Sequence, residues 1–209
     1  VCSIEDGTGH TPAAVLLEQA VRASPLLRSV LERWDQLALP DCWMVAGAIA
    51  QTFWNSAHGL PPECGIKDID LIYFDAAELG EQAEAVQAAR VRAIFAGCPV
   101  HFDVKNEARV HLWYREKFGY PIEPYTSSRH AIATFPTTAT AVGIRPAPAG
   151  LELCTPYGIS DLTQLIVRPN KTQITAEIYA AKVRRWRQVW PRLTVIDWYE
   201  TSAPGNVST

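Results

Sequence analysis

The sequence predicts an α+β fold, a mixed sheet flanked by helices and closed by a C-terminal helix. Three observations predict it. Short apolar runs rich in β-branched and aromatic residues recur near 42–46, 67–74 and 100–105. The intervening segments carry helical signals and Gly or Pro punctuation, which gives strand, helix, strand, helix, strand in one compact unit. A long amphipathic segment from Thr175 to Trp190 then reads as the last helix.

Taken in order, residues 1–10 read as a loose N-terminal arm, 11–200 as a single domain and 201–209 as a C-terminal tail. Thr11-Pro12 supplies an N-cap and a first-turn proline for a helix to about Ala23, and Ser24-Pro25 repeats the signal for a helix to about Ala38. In that second helix Leu27, Val30, Leu31 and Trp34 recur at helical spacing as a packing stripe. Cys42 to Ala46 forms a short strand that runs through a Gly47 turn into a helix with Ile49, Phe53, Trp54 and Ala57 on its buried face. That helix ends at His58-Gly59, where His58 reads as a helix cap. Leu60 to Gly65 is a loop, either a lip over the site or a plain connector.

The segment Ala76 to Phe95 predicts a helix with Leu79, Val86 and Ile94 among its apolar positions, and Gly97 ends it before the 100–105 strand. Glu107 to Phe118 reads as a helix or a curled segment. Beyond it lies a stretch rich in Pro, Thr and Ser, with a short helix around 128–133 and strands at Thr140 to Ile144 and Leu151 to Leu153. Leu165 to Arg168 is a further strand or helix edge stopped by Pro169-Asn170.

With 209 residues, 48% apolar and 20% charged, the chain is long enough for a core without staples. A net charge of −3 argues against a general nucleic-acid binder. Lys182, Arg184, Arg185 and Arg187 alternate with Trp186 and Trp190 and could grip RNA by charge and stacking. The two Trp residues are better explained as core packing, and the cations as partners of the helix dipole. Five cysteines without a CxxC pair read as reduced thiols, consistent with a cytoplasmic location, and no apolar run is long enough to predict a membrane span.

The chemistry is concentrated in Lys67 to Phe74. Asp68 and Asp70 stand two apart on a strand, so they point the same way, roughly 6 to 7 Å apart at Cα. Two carboxylates so placed repel unless neutralised, and a divalent cation does this best. The alternative is a strand mouth with one carboxylate capping the loop and the other in solvent. Upstream, strand, Gly47-Ala48 and helix N-terminus make a phosphate-binding arrangement; a tight turn packed on the sheet is the plainer reading. Downstream, His101, Asp103 and Lys105 share one face of the 100–105 strand. If the two strands are neighbours, Asp103 joins Asp68 and Asp70 in an oxygen-ligand set suited to Mg²⁺ and a nucleotide phosphate. Arg109, His111, Arg115 and Lys117 on the following 107–118 segment could then hold substrate phosphates or an acidic acceptor, unless they form a solvated charged face.

Gly47-Ala48, Asp68-x-Asp70 and a later Asp103 resemble the nucleotidyltransferase superfamily of polymerase-beta-like fold. Val45 to Ile49, Trp54-Asn55, His58-Gly59, Tyr73 to Asp75, Val104 to Tyr114, Thr138 to Gly143 and Val167 to Asn170 are, with Lys67 to Asp70, similar to a small bacterial nucleotidyltransferase-like family once classed as a domain of unknown function. The resemblance runs from about residue 42 to about 198. It departs at Ala48, where many active members carry Ser, and at Ala50 and Gln51, where close members carry Arg and Asn.

The resemblance implies a metal-dependent transferase that uses Mg²⁺ or Mn²⁺ and an NTP substrate to transfer a nucleoside monophosphate to an unknown acceptor hydroxyl, releasing pyrophosphate. Asp68, Asp70 and Asp103 would be both catalytic residues and metal ligands, with Gly47, Ala48, Lys105 and Arg109 binding the nucleotide. Two alternatives stay open, a catalytically weak or inactive nucleotide-binding module and a metal-dependent phosphohydrolase.

Overall fold

A computed structural model describes residues 11–200; the expected arm 1–10 and tail 201–209 lie outside the described residues. Two helices open the fold, α1 (Pro12–Ala23) and α2 (Pro25–Glu32). Thr11 accepts a hydrogen bond from the Ala14 amide, and Ser24 both ends α1 and accepts from the Leu27 amide to start α2. The run expected to continue to Ala38 breaks at Arg33, whose backbone leaves the helical region, and resumes as α3 (Trp34–Leu37).

The main sheet has five strands, β1 (Trp43–Val45), β2 (Asp68–Tyr73), β3 (His101–Asn106), β4 (Gly143–Ala147) and β5 (Gly150–Cys154), in the order β3-β2-β1-β4-β5. β2 and β3 are parallel and the other pairs antiparallel, so the sheet is mixed as expected. The parallel pair needs a crossover. It is α5 (Glu81–Ile94), which packs on β3. β1 runs directly into α4 (Gly47–His58).

Alternation along β2 separates two cores. Ile69, Leu71 and Tyr73 join Met44, Ile49 and Trp54 in the larger one; Ile72 joins Trp43, Val45, Tyr114, Tyr125 and Ile132 in a smaller one on the other face. The smaller core is covered by α6 (Val110–Phe118), which follows a 3₁₀ turn at Glu107–Arg109, and by α7 (Ser128–Ile132). The chain then forms α8 (Ser160–Thr163), β6 (Ile166–Val167), α9 (Ala176–Val189) and β7 (Thr194–Val195). β6, within the segment Leu165 to Arg168 expected as a strand or helix edge, pairs in parallel with β7, for which the sequence carried no signal, as a second, two-stranded sheet.

Two further boundaries differ from expectation for identifiable reasons. α5 starts at Glu81 instead of Ala76, because the Asn106 side chain takes the Asp75 and Glu78 carbonyls and holds 75–80 in a bend. Its buried positions are accordingly Glu84, Ala88 and Val91, while Leu79 and Val86 are exposed. β4 starts at Gly143, since the Thr137 carbonyl accepts from the Thr140 and Ala141 amides and ties that segment into a turn. Pro146 is tolerated because β1 pairs only with Gly143 and Ile144. Cys42, Cys64, Cys98 and Cys154 are free thiols, and among the described residues no helix is long and apolar enough to cross a membrane.

Candidate active site

The site is built where β1 turns into α4. Val45 pairs with Asp70, so the Gly47 turn lies beside the carboxylate strand. Ala46 makes the turn with φ 58° and ψ −122°, a left-handed conformation that an L side chain adopts only under constraint. Its amide is held by the Val142 carbonyl at 2.9 Å. No side chain caps α4, and the first-turn amides of a helix have no intrahelical acceptor, so Gly47, Ala48 and Ile49 present donors at the positive end of the dipole. A Cβ on Gly47 would meet the Gln51 amide nitrogen at 3.0 Å, so Gln51 reaches back over this turn. Its Oε1 is buried without a hydrogen-bond partner.

The parallel register sets Asp70 opposite Asp103 and Asp68 opposite His101. Neighbouring strands lie about 5 Å apart and directly paired residues point to the same face. All three aspartates therefore emerge on the face of the smaller core, while Ile69 and Leu71 anchor β2 in the larger one. Burial, then the charges of Asp68 and Asp103, push Asp70 up to about 7; Lys182 and Lys105 pull the other way. Crowded carboxylates on a half-buried face are a donor set that fits a hard divalent cation. Among the described residues no group of three or more His, Cys, Asp or Glu side chains is placed to hold a metal ion as it stands. Asp103 instead pairs with Lys105, whose ammonium lies 3.0 Å from Oδ1.

The sequence-predicted nucleotide contacts fall in different places. Gly47 is at the turn and Lys105 is beside Asp103, but the Ala48 side chain is buried in the larger core, leaving only its backbone N–H for an anion. Ala50 is fully buried in the same core, so an Arg there would not simply reach the site. Arg109 is not drawn to the aspartates. Its guanidinium is buried, donating to Glu84 at 2.8 Å and to the Leu79 carbonyl at 3.1 Å, which makes it a pin between the 107–109 turn and α5.

Three residues near the site went unassigned in the sequence. Glu107 extends the row Asp103, Lys105 on β3 and is buried; burial, Glu84 and Asp70 push it up to about 8. Gln51 stood out only as a departure from the family resemblance, at a position where close members carry Asn. Lys182 on α9 lies within electrostatic reach of Asp70 and Asp68, and burial is the largest influence holding its ammonium below the ordinary lysine range. The sequence signal for Lys182 was its place in a basic helix, read there as a dipole partner. A separate cavity of about 700 Å³, lined by Tyr179, Arg184, Arg187 and Trp198, lies on the other flank of α9.

With that geometry in view, the sequence profile of a family described as nucleotidyltransferase matches residues 32–195. The chain belongs to this nucleotidyltransferase family. The matched span contains the Gly47 turn, all three aspartates and Lys182. A solved structure titled as an NMR structure revealing a CCA-adding enzyme head domain is 26% identical, with a TM-score of 0.72, over 92% of this chain and 98% of its own. No curated protein matches the sequence significantly. The nucleotidyltransferase fold expected from the resemblance is thus the fold observed.

Proposed function

We propose that this nucleotidyltransferase is Mg²⁺-dependent, with Mn²⁺ as the alternative ion, and that it transfers a nucleoside monophosphate from an NTP to an acceptor hydroxyl. The observation that supports this best is the pairing of Asp70 with Asp103, with Asp68 two residues away on the same face, beside an uncapped helix N-terminus. Asp68, Asp70 and Asp103 would hold the metal. Bound Mg²⁺ supplies charge neutralisation on the phosphate oxygens and lowers the barrier to attack on them.

The chain's own groups do the positioning. The amides of Gly47 and Ala48 hold phosphate oxygens against the α4 dipole. Lys105 balances charge beside Asp103, and the Asp103 carboxylate receives the proton of the acceptor hydroxyl. The acceptor oxygen then bonds to the α-phosphorus, the bond from that phosphorus to the bridging oxygen breaks, and pyrophosphate leaves with the electron pair. Alignment and electrostatics supply the rate, because the chemistry needs no protein nucleophile.

The test is incubation of the purified protein with Mg²⁺, each labelled NTP and a cell extract. CTP and ATP come first, given the CCA-adding description of the structural neighbour. Label appearing on an extract component with pyrophosphate release supports transfer. Free nucleotide products indicate a phosphohydrolase, and binding without turnover a nucleotide-binding module. Asp68→Asn with Asp70→Asn should lower transfer by at least about a hundredfold while the protein still folds; undiminished transfer in the double variant overturns their role.

A further inference from the structure

We infer that Lys182, on the last helix, is a substrate contact of this site that holds the β- and γ-phosphates of the NTP and then neutralises departing pyrophosphate. The inference rests on the nucleotidyl-transfer reading above. It starts from how α9 is seated. Trp54 of α4 meets Trp186 at 5.3 Å and Trp190 at 5.4 Å between ring centroids. Asn55 accepts from the Trp190 indole at 2.7 Å, and further on His58 accepts from the Arg192 amide at 3.2 Å while the Ala57 carbonyl accepts from the Arg192 guanidinium at 2.6 Å. Residue numbers rise together along both elements, so α4 and α9 run in the same direction. One turn back from Trp54 and Trp186 lie Gln51 and Lys182. Gln51 is the residue that folds over Gly47, which places Lys182 on the same side as the uncapped N-terminus of α4.

The helix also fixes which flank Lys182 occupies. Tyr179, Val183 and Trp186 form the buried stripe of α9, and Lys182 stands on one edge of it, half-buried, while Arg184 and Arg187 stand on the other beside the 700 Å³ cavity. Lys182 is therefore the half-buried α9 cation on the side of Asp68 and Asp70, with the exposed Arg185 one turn further along the same flank. Among the described residues its ammonium closes no ion pair, although both aspartates act on it. A lysine that is near two carboxylates without touching either leaves room between them for an anion that both it and metal ions can bind. A triphosphate is that anion. Its terminal half gains negative charge as the α–β bridge breaks, and a fixed cation on the leaving side stabilises that charge.

The experiment measures binding of each NTP and its NMP to the full chain with Mg²⁺. Three proteins are compared, wild type, Lys182→Met, which keeps the aliphatic stem, and Lys182→Arg, which keeps the charge, each with its melting temperature. Lys182→Met should weaken NTP binding by about tenfold or more, leave NMP binding within about twofold, and be largely rescued by Lys182→Arg. Equal weakening of NTP and NMP, or no change in either, overturns the inference while leaving nucleotidyl transfer intact. A wild-type protein that neither binds nor turns over any NTP brings down both. On the unaltered protein, acetylation of Lys182 by an amine-reactive reagent, read by mass spectrometry, should be blocked by NTP and not by NMP; equal modification with either also overturns it.

Discussion

Glu107 is the residue whose cost to the fold is easiest to measure. Its carboxyl is buried, and burial together with Glu84 and Asp70 carries it from an ordinary 4.5 to about 8. Between those values the folded protein holds a proton that the unfolded chain lacks, so stability is full below about 4.5 and falls as pH rises toward about 8. Glu107→Gln should remove that decline, so that the variant is more stable than wild type at pH 8 by on the order of a few kcal/mol and similar to it at pH 4. Denaturant titrations at the two pH values test this; an equal difference at both would show that Glu107 does not titrate. Ala46 is a second local cost. Its φ of 58° belongs to the region that favours glycine, at about 1–3 kcal/mol for other residues. Ala46→Gly should relieve this and, after the added freedom of the unfolded chain, stabilise by about 1 kcal/mol, seen as a melting temperature raised by a few degrees.

At the scale of elements, the pieces around the site were legible wherever local sequence decides. β1, the Gly47 turn, β2 and β3 were read from apolar runs, a glycine and alternation, while the adjacency of β2 and β3 stood only as a condition that their parallel pairing meets. What was not legible depended on partners far away in sequence. The bend at 75–80 is held by Asn106, some 30 residues on. β7 is two residues long and exists because residues 194–196 meet 165–167, the segment already read as a strand or helix edge. Arg109 looked like a phosphate contact because a cation close to Asp103 in sequence suggests one. The glutamate that claims it, Glu84, lies 25 residues earlier and becomes visible only once α5 is packed on β3. Since that pair is buried, Arg109→Ala should cost about 3–5 kcal/mol by leaving Glu84 without its partner. NTP affinity, measured below the variant's melting temperature, should stay close to wild type. Loss of affinity without loss of stability would return Arg109 to the site.

For the molecule as a whole, the site draws on both ends of the described chain. The β1–α4 turn and the two aspartate strands come from its first half, and Lys182 arrives on α9 near its end. Three side chains fasten that helix. Trp190 donates to Asn55, whose own amide holds the Pro62 and Cys64 carbonyls of the loop that enters β2. The Tyr179 hydroxyl lies 2.8 and 2.7 Å from the Val167 and Ile196 carbonyls, which share its one proton, and so ties α9 to β6 and to the residue that follows β7. Trp186 and Trp190 are buried in the larger core against Trp54. A helix fastened this way opens only when the main sheet opens. Native-state hydrogen exchange should therefore give the central amides of α9 the same opening free energy as those of α4 and β2. Replacing Tyr179 with Phe removes a buried donor from two carbonyls at a cost of about 1–3 kcal/mol. If α9 is part of one cooperative unit, that loss lowers protection equally in α4, β2 and α9. Selective loss in α9 alone would mean that the last helix unfolds by itself and that the triphosphate side of the site can open while the aspartate strands stay folded.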